Sequence, residues 1–542
     1  MTLAFDVAVA GLTDPQRLAV DSPSPALCIL AGAGSGKTSV LTLRVARRIR
    51  DGSAEADHTV VCTFTRRAAR ELRDRLQRYG VPVSTPATRG GAPSPGVRAG
   101  TLHQLALTLL RRRALDAGDR APVVFDDRYR LLRDQVGDPG LASALATEIG
   151  WAKASGLGPD TYAEGAHRAG RAVLVSAEQV QEAFEWYQLA LDRRRAIDLD
   201  DLLGLASDAL LSDRAFAEAA SWRYRHLSVD EFQDVNPAQF RLIRALSENR
   251  HDLCVVGDPN QAIYGWNGAD PSLLQRLPAA VPGMKVIRLD ENHRSTPQVV
   301  RAAAEVLGRA AAVVPRSTVA DGPMPLVTAY DDDDAEAEGV ASLLVDRADE
   351  GRRWSDHAVL ARTNEQLSMM ARALARAGIP YRMAAGPAEA DGPPEGPAAE
   401  VTAEESERSQ RPAGPARPAR PARSAGSGNA VELATFHRAK GLEWDSVFVV
   451  GVEDGFVPIA YAEGESARAE ERRLLYVALT RASRELHCSW SRLRRMGLGR
   501  RREREPSPWL AAVARVSRPG IGRPAPGQAG RRIAELRATL RR

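Results

Sequence analysis

Only four cysteines occur in 542 residues, Cys28, Cys62, Cys254 and Cys488, and none stands at CxxC or Cys/His spacing. That argues against a disulfide or metal framework. Three of them lie in apolar strand-like runs, so buried thiols in a reducing cytosol are the expectation. No charged-then-apolar leader opens the sequence, and no apolar run approaches the length of a membrane span, so no bilayer insertion is expected. Charge of one sign is scarce as well: 74 Lys plus Arg stand against 69 Asp plus Glu, a formal net of +5. What excess there is sits late, in Arg492, Arg494, Arg495, Arg500, Arg501, Arg502 and Arg504. This cluster fits an anionic partner such as nucleic acid, and equally a solvated surface loop. The length allows three or four domains.

What is present begins with Ala31-Gly32-Ala33-Gly34-Ser35-Gly36-Lys37-Thr38, directly after the apolar run Ala26–Leu30. A buried strand feeding a glycine-rich loop is the reading. Backbone N–H groups of Gly32, Gly34, Ser35 and Gly36 can close on phosphate oxygens, Lys37 can reach the β/γ-phosphates, and the Thr38 hydroxyl can ligate Mg²⁺. The general pattern wants Gly where Ala31 stands. Downstream, Val229-Asp230-Glu231-Phe232-Gln233-Asp234 follows another strand-like run. Asp230 at that strand end can hold the metal, and Glu231 can orient and deprotonate an attacking water.

The segment order predicts an α/β fold of two tandem parallel-sheet domains. Strands alternate with helices over 11–82, and residues 105–195 are nearly strandless and read as a helical insertion. The sheet rhythm returns near 226 and 252, and a second unit begins near 285. The boundaries read as 1–104 and 196–284 for the first sheet domain, 105–195 for the insertion, and 285–383 with 431–514 for the second sheet domain. Residues 384–430 are Pro, Gly, Ala, Glu and Arg with almost no large apolar side chain, a composition that cannot offset the entropy of ordering and predicts a disordered linker. Residues 515–542 read as a basic tail.

Collinear motifs then carry a resemblance. Gly11-Leu12-Thr13-Asp14-Pro15-Gln16, Thr63-Phe64-Thr65, Thr101-Leu102-His103, Val256 to Trp266, Glu291 to Thr296, Thr435 to Trp444 and Glu470 to Ala482 resemble the Q, Ia, Ib, III, IV, V and VI motifs of the UvrD/Rep/PcrA-type superfamily 1A DNA helicases, over residues 11–383 and 431 to about 510. The resemblance implies two RecA-like domains, 1A and 2A, with helical subdomain 1B inserted in the first. ATP would lie between them, with Gln16 on the adenine edge, His293 stacking on the base, Glu443 beside the nucleotide, Gln261 sensing the γ-phosphate, and Arg294 and Arg481 acting as arginine fingers. Thr63, Phe64, Thr101, His103, Tyr264, Trp266, Arg362, Asn364 and His437 would face DNA.

Departures from the family pattern fall at His293, where the family usually has Tyr, at Ser39, where it often has Arg, and at Asn267, where it commonly has Arg. The family also carries a large helical 2B subdomain between Arg382 and motif V, where this sequence has only the low-complexity segment. The resemblance therefore implies a cytoplasmic, nucleoid-associated translocase or helicase of 3′–5′ polarity acting on single-stranded or 3′-tailed DNA in repair, replication or recombination. The alternative is a DNA-stimulated ATPase that serves a protein partner supplying duplex contacts and does not unwind alone. No carboxylate-rich metal motif with a neighbouring Lys follows motif VI, which argues against a nuclease.

Overall fold

The computed structural model describes residues 2–85, 94–171, 175–248, 252–308, 315–384, 428–495 and 501–520. The first sheet is built from β1 (Leu27–Ala31), β2 (Thr59–Thr63), β3 (Arg98–Thr101), β6 (His226–Val229), β7 (Leu253–Gly257) and β8 (Lys285–Leu289). They run in the order β3-β2-β6-β7-β1-β8, all parallel. Helices cover both faces, which is why β1, β2 and β7 read as unbroken apolar runs and not as alternating ones. One face packs Cys28, Val60, Leu227 and Val255 against Leu202, Leu242 and Leu274, and the other packs Ile29, Val61 and Val256 against Leu41 and Leu72. Each fully buried Leu, Ile or Val contributes about 1.5–3 kcal/mol. All four cysteines are buried free thiols, and burial pushes Cys28 and Cys62 up to about 12, so they behave as core residues.

The helical insertion enters and leaves through a two-stranded neck, β4 (Val123–Phe125) beside β5 (Ala196–Asp198). Its own core, with Leu132, Leu145, Ile149, Phe184 and Tyr187, is drawn from residues that lie between those two strands in sequence. Helix Leu102–Ala117, which the sequence reading places largely in the insertion, instead sends Leu102, Leu105, Ala106 and Leu109 under the first sheet. Buried charges tie the bundle to its neck: Lys153 Nζ donates to Asp198 Oδ2 and Asp201 Oδ1, both at 2.8 Å.

From β8 the chain passes through β9 (Glu291–Asn292) into helix Pro297–Leu307 and does not return to the first sheet. After β10 (Arg316–Ser317), which pairs with β9, the second sheet forms from β11 (Leu326–Asp332), β12 (His357–Ala361), β13 (Tyr381–Met383), β14 (Val431–Thr435), β15 (Trp444–Val449) and β16 (Ala482–Arg495). With β18 (Arg518–Pro519) the order is β13-β14-β12-β15-β16-β11-β18, parallel throughout, and β17 (Arg501–Glu503) is antiparallel on β16. The sheet thus takes in residues beyond the 514 boundary read from composition. The expected linker falls outside the described residues at 385–427; its ends are anchored by Ala384 N donating to Leu433 O (2.8 Å) and by Asn429 Oδ1 accepting from Ser355 N (3.0 Å).

Candidate functional site: an anion cradle between two sheets and an aromatic ladder beside it

Adjacent strand ends of the first sheet converge on the loop after β1. Gly34 and Gly36 have φ of +70° and +78°, the left-handed region that a side chain disfavours. A Cβ at Gly34 would lie 2.6 Å from Asn292 Nδ2, so this position is also closed by contact. Helix Lys37–Arg50 follows, its N-terminal N–H groups free for an anion. Thr38 Oγ1 donates to Asp230 Oδ2 at 2.9 Å, which brings together the two hard oxygens expected to hold a divalent cation. Lys37 Nζ lies 3.8 Å from Asp258 Oδ2 at the end of β7.

Glu231 is one of two non-glycine residues with positive φ among the described residues, at +54°, and Gln233 Nε2 donates to its Oε2 at 2.5 Å. Strain at a non-glycine residue persists only where the surroundings enforce it. Burial pushes both carboxyls of the Asp230/Glu231 pair upward. For Glu231 the charges of Lys37 and Lys440 and the Gln233 hydrogen bond outweigh burial and hold it below the usual carboxylate range, while Asp230 stays raised by burial and by Glu231. Two neighbouring carboxyls thus have separated proton affinities, the pattern expected where one keeps its charge beside a cation-binding oxygen.

The second sheet's elements supply cations to this site. Arg481 Nη2 donates to Gln261 Oε1 (3.4 Å), and Gln261 Nε2 donates to Asp258 Oδ2 (2.5 Å). Burial and then the like charge of Arg294 lower Arg481 to about 10. Two guanidiniums that disfavour each other suit an anion placed between the sheets. Arg294 Nε meets Glu443 Oε2 at 2.5 Å. His293 N donates to Gly34 O (2.9 Å) and its Nδ1 lies 2.8 Å from Thr318 Oγ1, so its imidazole stands at the loop's edge. Gln16 donates to Ser35 O (2.9 Å) and accepts from Thr13 N (3.1 Å); one amide hydrogen and one lone pair remain for a base edge.

Residues quoted above only as members of motifs prove to be joints. Asn292, fully buried, donates to Ala33 O (2.8 Å) and accepts from the N–H groups of Arg294 (2.9 Å) and Ser295 (2.7 Å). Lys440 Nζ donates to Asp234 Oδ2 (2.5 Å) and Gln261 O (2.8 Å) and lies 5.0 Å from the Tyr264 ring centroid. Arg473 Nε donates to Ala262 O at 2.7 Å. Segment 261–264 is thereby gripped from the second sheet domain at two backbone oxygens, Gln261 O and Ala262 O, and at the Tyr264 ring.

Beyond Gln261 runs a ladder of rings. Phe64 and Tyr264 stack at 5.0 Å, Tyr264 meets Trp266 edge-on at 6.4 Å, and Trp266 meets His437 edge-on at 6.4 Å. Trp266 is 49% exposed and is the ring open to a ligand. Burial, then Arg362 and Lys440, lower His437 to about 4, so it is neutral at pH 7. The other residues assigned to DNA are placed differently. Arg362 chelates the Glu471 carboxylate (2.7 Å at the shortest), Thr101 caps its helix by accepting from Gln104 N, Thr63 is buried at the end of β2, and His103 is half-buried near Asp198 and Asp200. Asn364 is exposed at the start of helix Asn364–Ala377. Of the late arginine cluster, Arg494 is buried against Glu336 and Glu453, while Arg492 and Arg495 stay exposed and pair with Asp331 and with Asp333 and Asp334.

A phosphate loop and acidic strand end on one parallel sheet, faced by arginines delivered from a second, define the two-sheet P-loop motor class. The particular family follows from comparison. The UvrD/REP helicase N-terminal domain model matches residues 12–282, and the UvrD-like helicase C-terminal domain model matches 287–386 and 419–493. The chain belongs to the UvrD-like helicase family. It is 34% identical over 612 residues to ATP-dependent DNA helicase UvrD2 of Mycobacterium tuberculosis, covering 98% of this chain and 86% of that one. It is 32% identical to DNA helicase II of Escherichia coli (69% of this chain, 51% of the other) and 30% identical to ATP-dependent DNA helicase PcrA of Leuconostoc citreum (71% and 51%). Among the described residues no helix is long and apolar enough to cross a membrane.

Proposed function

We propose that this protein is an ATP-dependent single-stranded DNA translocase and helicase of 3′–5′ polarity that works on chromosomal DNA in the cytoplasm during repair, replication or recombination. The observation that carries this reading is the meeting of Arg481 and Gln261 above the phosphate loop, since it puts a second-domain cation into a first-domain phosphate site. Lys37 and the loop N–H groups bind the β- and γ-phosphates. Glu231, kept ionised, orients the attacking water and takes its proton, and Arg294 and Arg481 neutralise charge developing on the γ-phosphate oxygens. Thr38 and Asp230 would hold Mg²⁺, which supplies further charge neutralisation on the phosphates. Arg481 loses its phosphate partner after hydrolysis and so relaxes the contact between the sheets, and Gln261 and Lys440 pass the change to the Tyr264 and Trp266 end of the same segment. Base stacking on an exposed ring tolerates any sequence, which suits a motor.

Lys37→Ala and Glu231→Gln are expected to fold and bind a (dT) oligonucleotide while losing most ATP hydrolysis, by about 10²–10⁴-fold for the general-base variant. Near-normal turnover in both would refute the site. Displacement of labelled strands from duplexes bearing a 3′ or a 5′ tail reads polarity. The second reading, a DNA-stimulated ATPase that needs a partner for duplex contacts, is favoured by the short interval, 387–418, between the two matched parts of the C-terminal domain. It predicts DNA-stimulated ATPase with no strand displacement by the chain alone.

A further inference from the structure

The turn that carries Trp266 is mounted between two bodies. On one side Glu470, from helix Gly464–Leu479 of the second sheet domain, accepts hydrogen bonds from the N–H groups of Gly265 and Trp266. On the other side lies the helical insertion. Arg171 Nη2 donates to Trp266 O at 3.2 Å, and the same guanidinium grips Glu148 through Nε (2.7 Å) and Nη2 (3.0 Å). Glu148 also accepts from Tyr162 Oη at 3.0 Å, and the guanidinium lies over the Trp151 ring at 4.7 Å. The Nε and Nη2 edge and one face of the Arg171 guanidinium are thus engaged within the insertion before it reaches the loop, so little rotamer entropy remains to be lost at that contact. The loop also sits directly on the insertion: a Cβ at Gly268, where φ is +87°, would lie 2.9 Å from Ala154 Cβ. Yet the Trp266 indole itself is half exposed. A backbone fixed on both flanks with its ring left open is the arrangement of a mounted stacking platform.

We infer that Arg171, locked by Glu148, is a positioning residue for base stacking, through which the helical insertion sets the grip of Trp266 on single-stranded DNA. This rests on the DNA-translocase reading above. A merely structural staple between the insertion and the first sheet domain would act differently: its loss would lower activity with and without DNA together and would ignore the identity of residue 266.

The test uses the full chain as Arg171→Ala, Arg171→Lys, Trp266→Ala and the Arg171→Ala/Trp266→Ala double variant. The readouts are ATPase without DNA, the (dT) oligonucleotide concentration that half-saturates ATPase, and quenching of one 2-aminopurine within that oligonucleotide. Arg171→Ala is expected to raise the half-saturating concentration about threefold to tenfold, below the full loss of one base–aromatic stack, and to weaken the quench. DNA-free ATPase stays within about twofold, and Arg171→Lys, which cannot span Glu148 and the carbonyl together, follows Ala. In the Trp266→Ala background the Arg171 change adds almost nothing. Full additivity, or an equal fall in DNA-free ATPase, overturns the inference. If Trp266→Ala weakens DNA binding and Arg171→Ala does not, the strut alone fails. If Trp266→Ala leaves DNA binding intact, the aromatic grip fails and the inference with it.

Discussion

Removing the Asn292 side chain tests the joint between the two halves of the catalytic site. Its amide makes three hydrogen bonds, one to the phosphate loop at Ala33 O and two to the N–H groups of Arg294 and Ser295. Ala33 is 1% exposed, as is Ser295, so truncation to Ala strands these groups away from water. Each buried unpaired group costs about 1–3 kcal/mol, and relaxation of the turn recovers part of that. Recovery means movement of Arg294, and a displacement of about 1 Å in a catalytic constellation costs roughly 10²-fold. Asn292→Ala is therefore expected to lower the DNA-stimulated kcat about 10²-fold at saturating ATP while (dT) binding persists. Asn292→Asp separates the two roles: its carboxylate still accepts from Arg294 N and Ser295 N but cannot donate to Ala33 O, and it places negative charge against the loop that receives phosphates. Its expected signature is a raised KM for ATP with a smaller loss of kcat. Steady-state ATPase with a coupled assay reads both, and an Asn292→Ala turnover within about twofold of the parent would refute the argument.

Arg294→Ala and Arg481→Ala should each cut turnover on the order of 10³-fold with DNA binding retained, measured at saturating ATP and DNA; unchanged turnover in either removes that arginine from the γ-phosphate. His357 is fully buried, its ring nitrogens lack partners among the described residues, and burial, aided by the charges of Arg352 and Arg347 and opposed by those of Asp356 and Glu485, lowers it to about 4. Because its folded value lies below the unfolded value of about 6.5, its contribution is complete above pH 6.5 and is lost as pH falls toward 4, at most about 3 kcal/mol. His357→Leu should then narrow the gap between thermal midpoints at pH 7.5 and pH 5, and an unchanged gap would exclude this source of acid sensitivity. Replacing residues 385–427 with about ten Gly/Ser residues should preserve DNA-stimulated ATPase, since the connection need only double back along the three-residue β13 to start β14; loss of ATPase in a folded variant would show that the segment takes part in the motor.

The two-sheet fold and the phosphate side of the site were legible because their signals are local. A glycine-rich loop after a strand and an acidic pair at a strand end each announce their geometry within a few residues, and Thr38 with Asp230 meet as that reading requires. Contacts between distant segments left no such trace. Asn292 reaches Ala33 across 259 positions and Lys440 reaches Asp234 across 206, and neither side chain's partner follows from periodicity or spacing. The same limit explains Arg494: composition shows that a cation is present, and only packing shows that Glu336 and Glu453 have claimed it. Phe64, which the resemblance puts facing DNA, stacks on Tyr264, a long-range pairing that no local pattern announces.

The backbone crosses from one sheet to the other once, at residues 290–296, and it crosses beside the phosphate loop. The crossing thus coincides with the candidate phosphate site, while the aromatic ladder joins rings from both domains, Phe64, Tyr264 and Trp266 from the first and His437 from the second. Were the two sheets to turn about 290–296 when phosphate occupancy changes, the contacts that Lys440 and Arg473 make to Gln261 O and Ala262 O would carry that turn to the Tyr264 and Trp266 end of the segment.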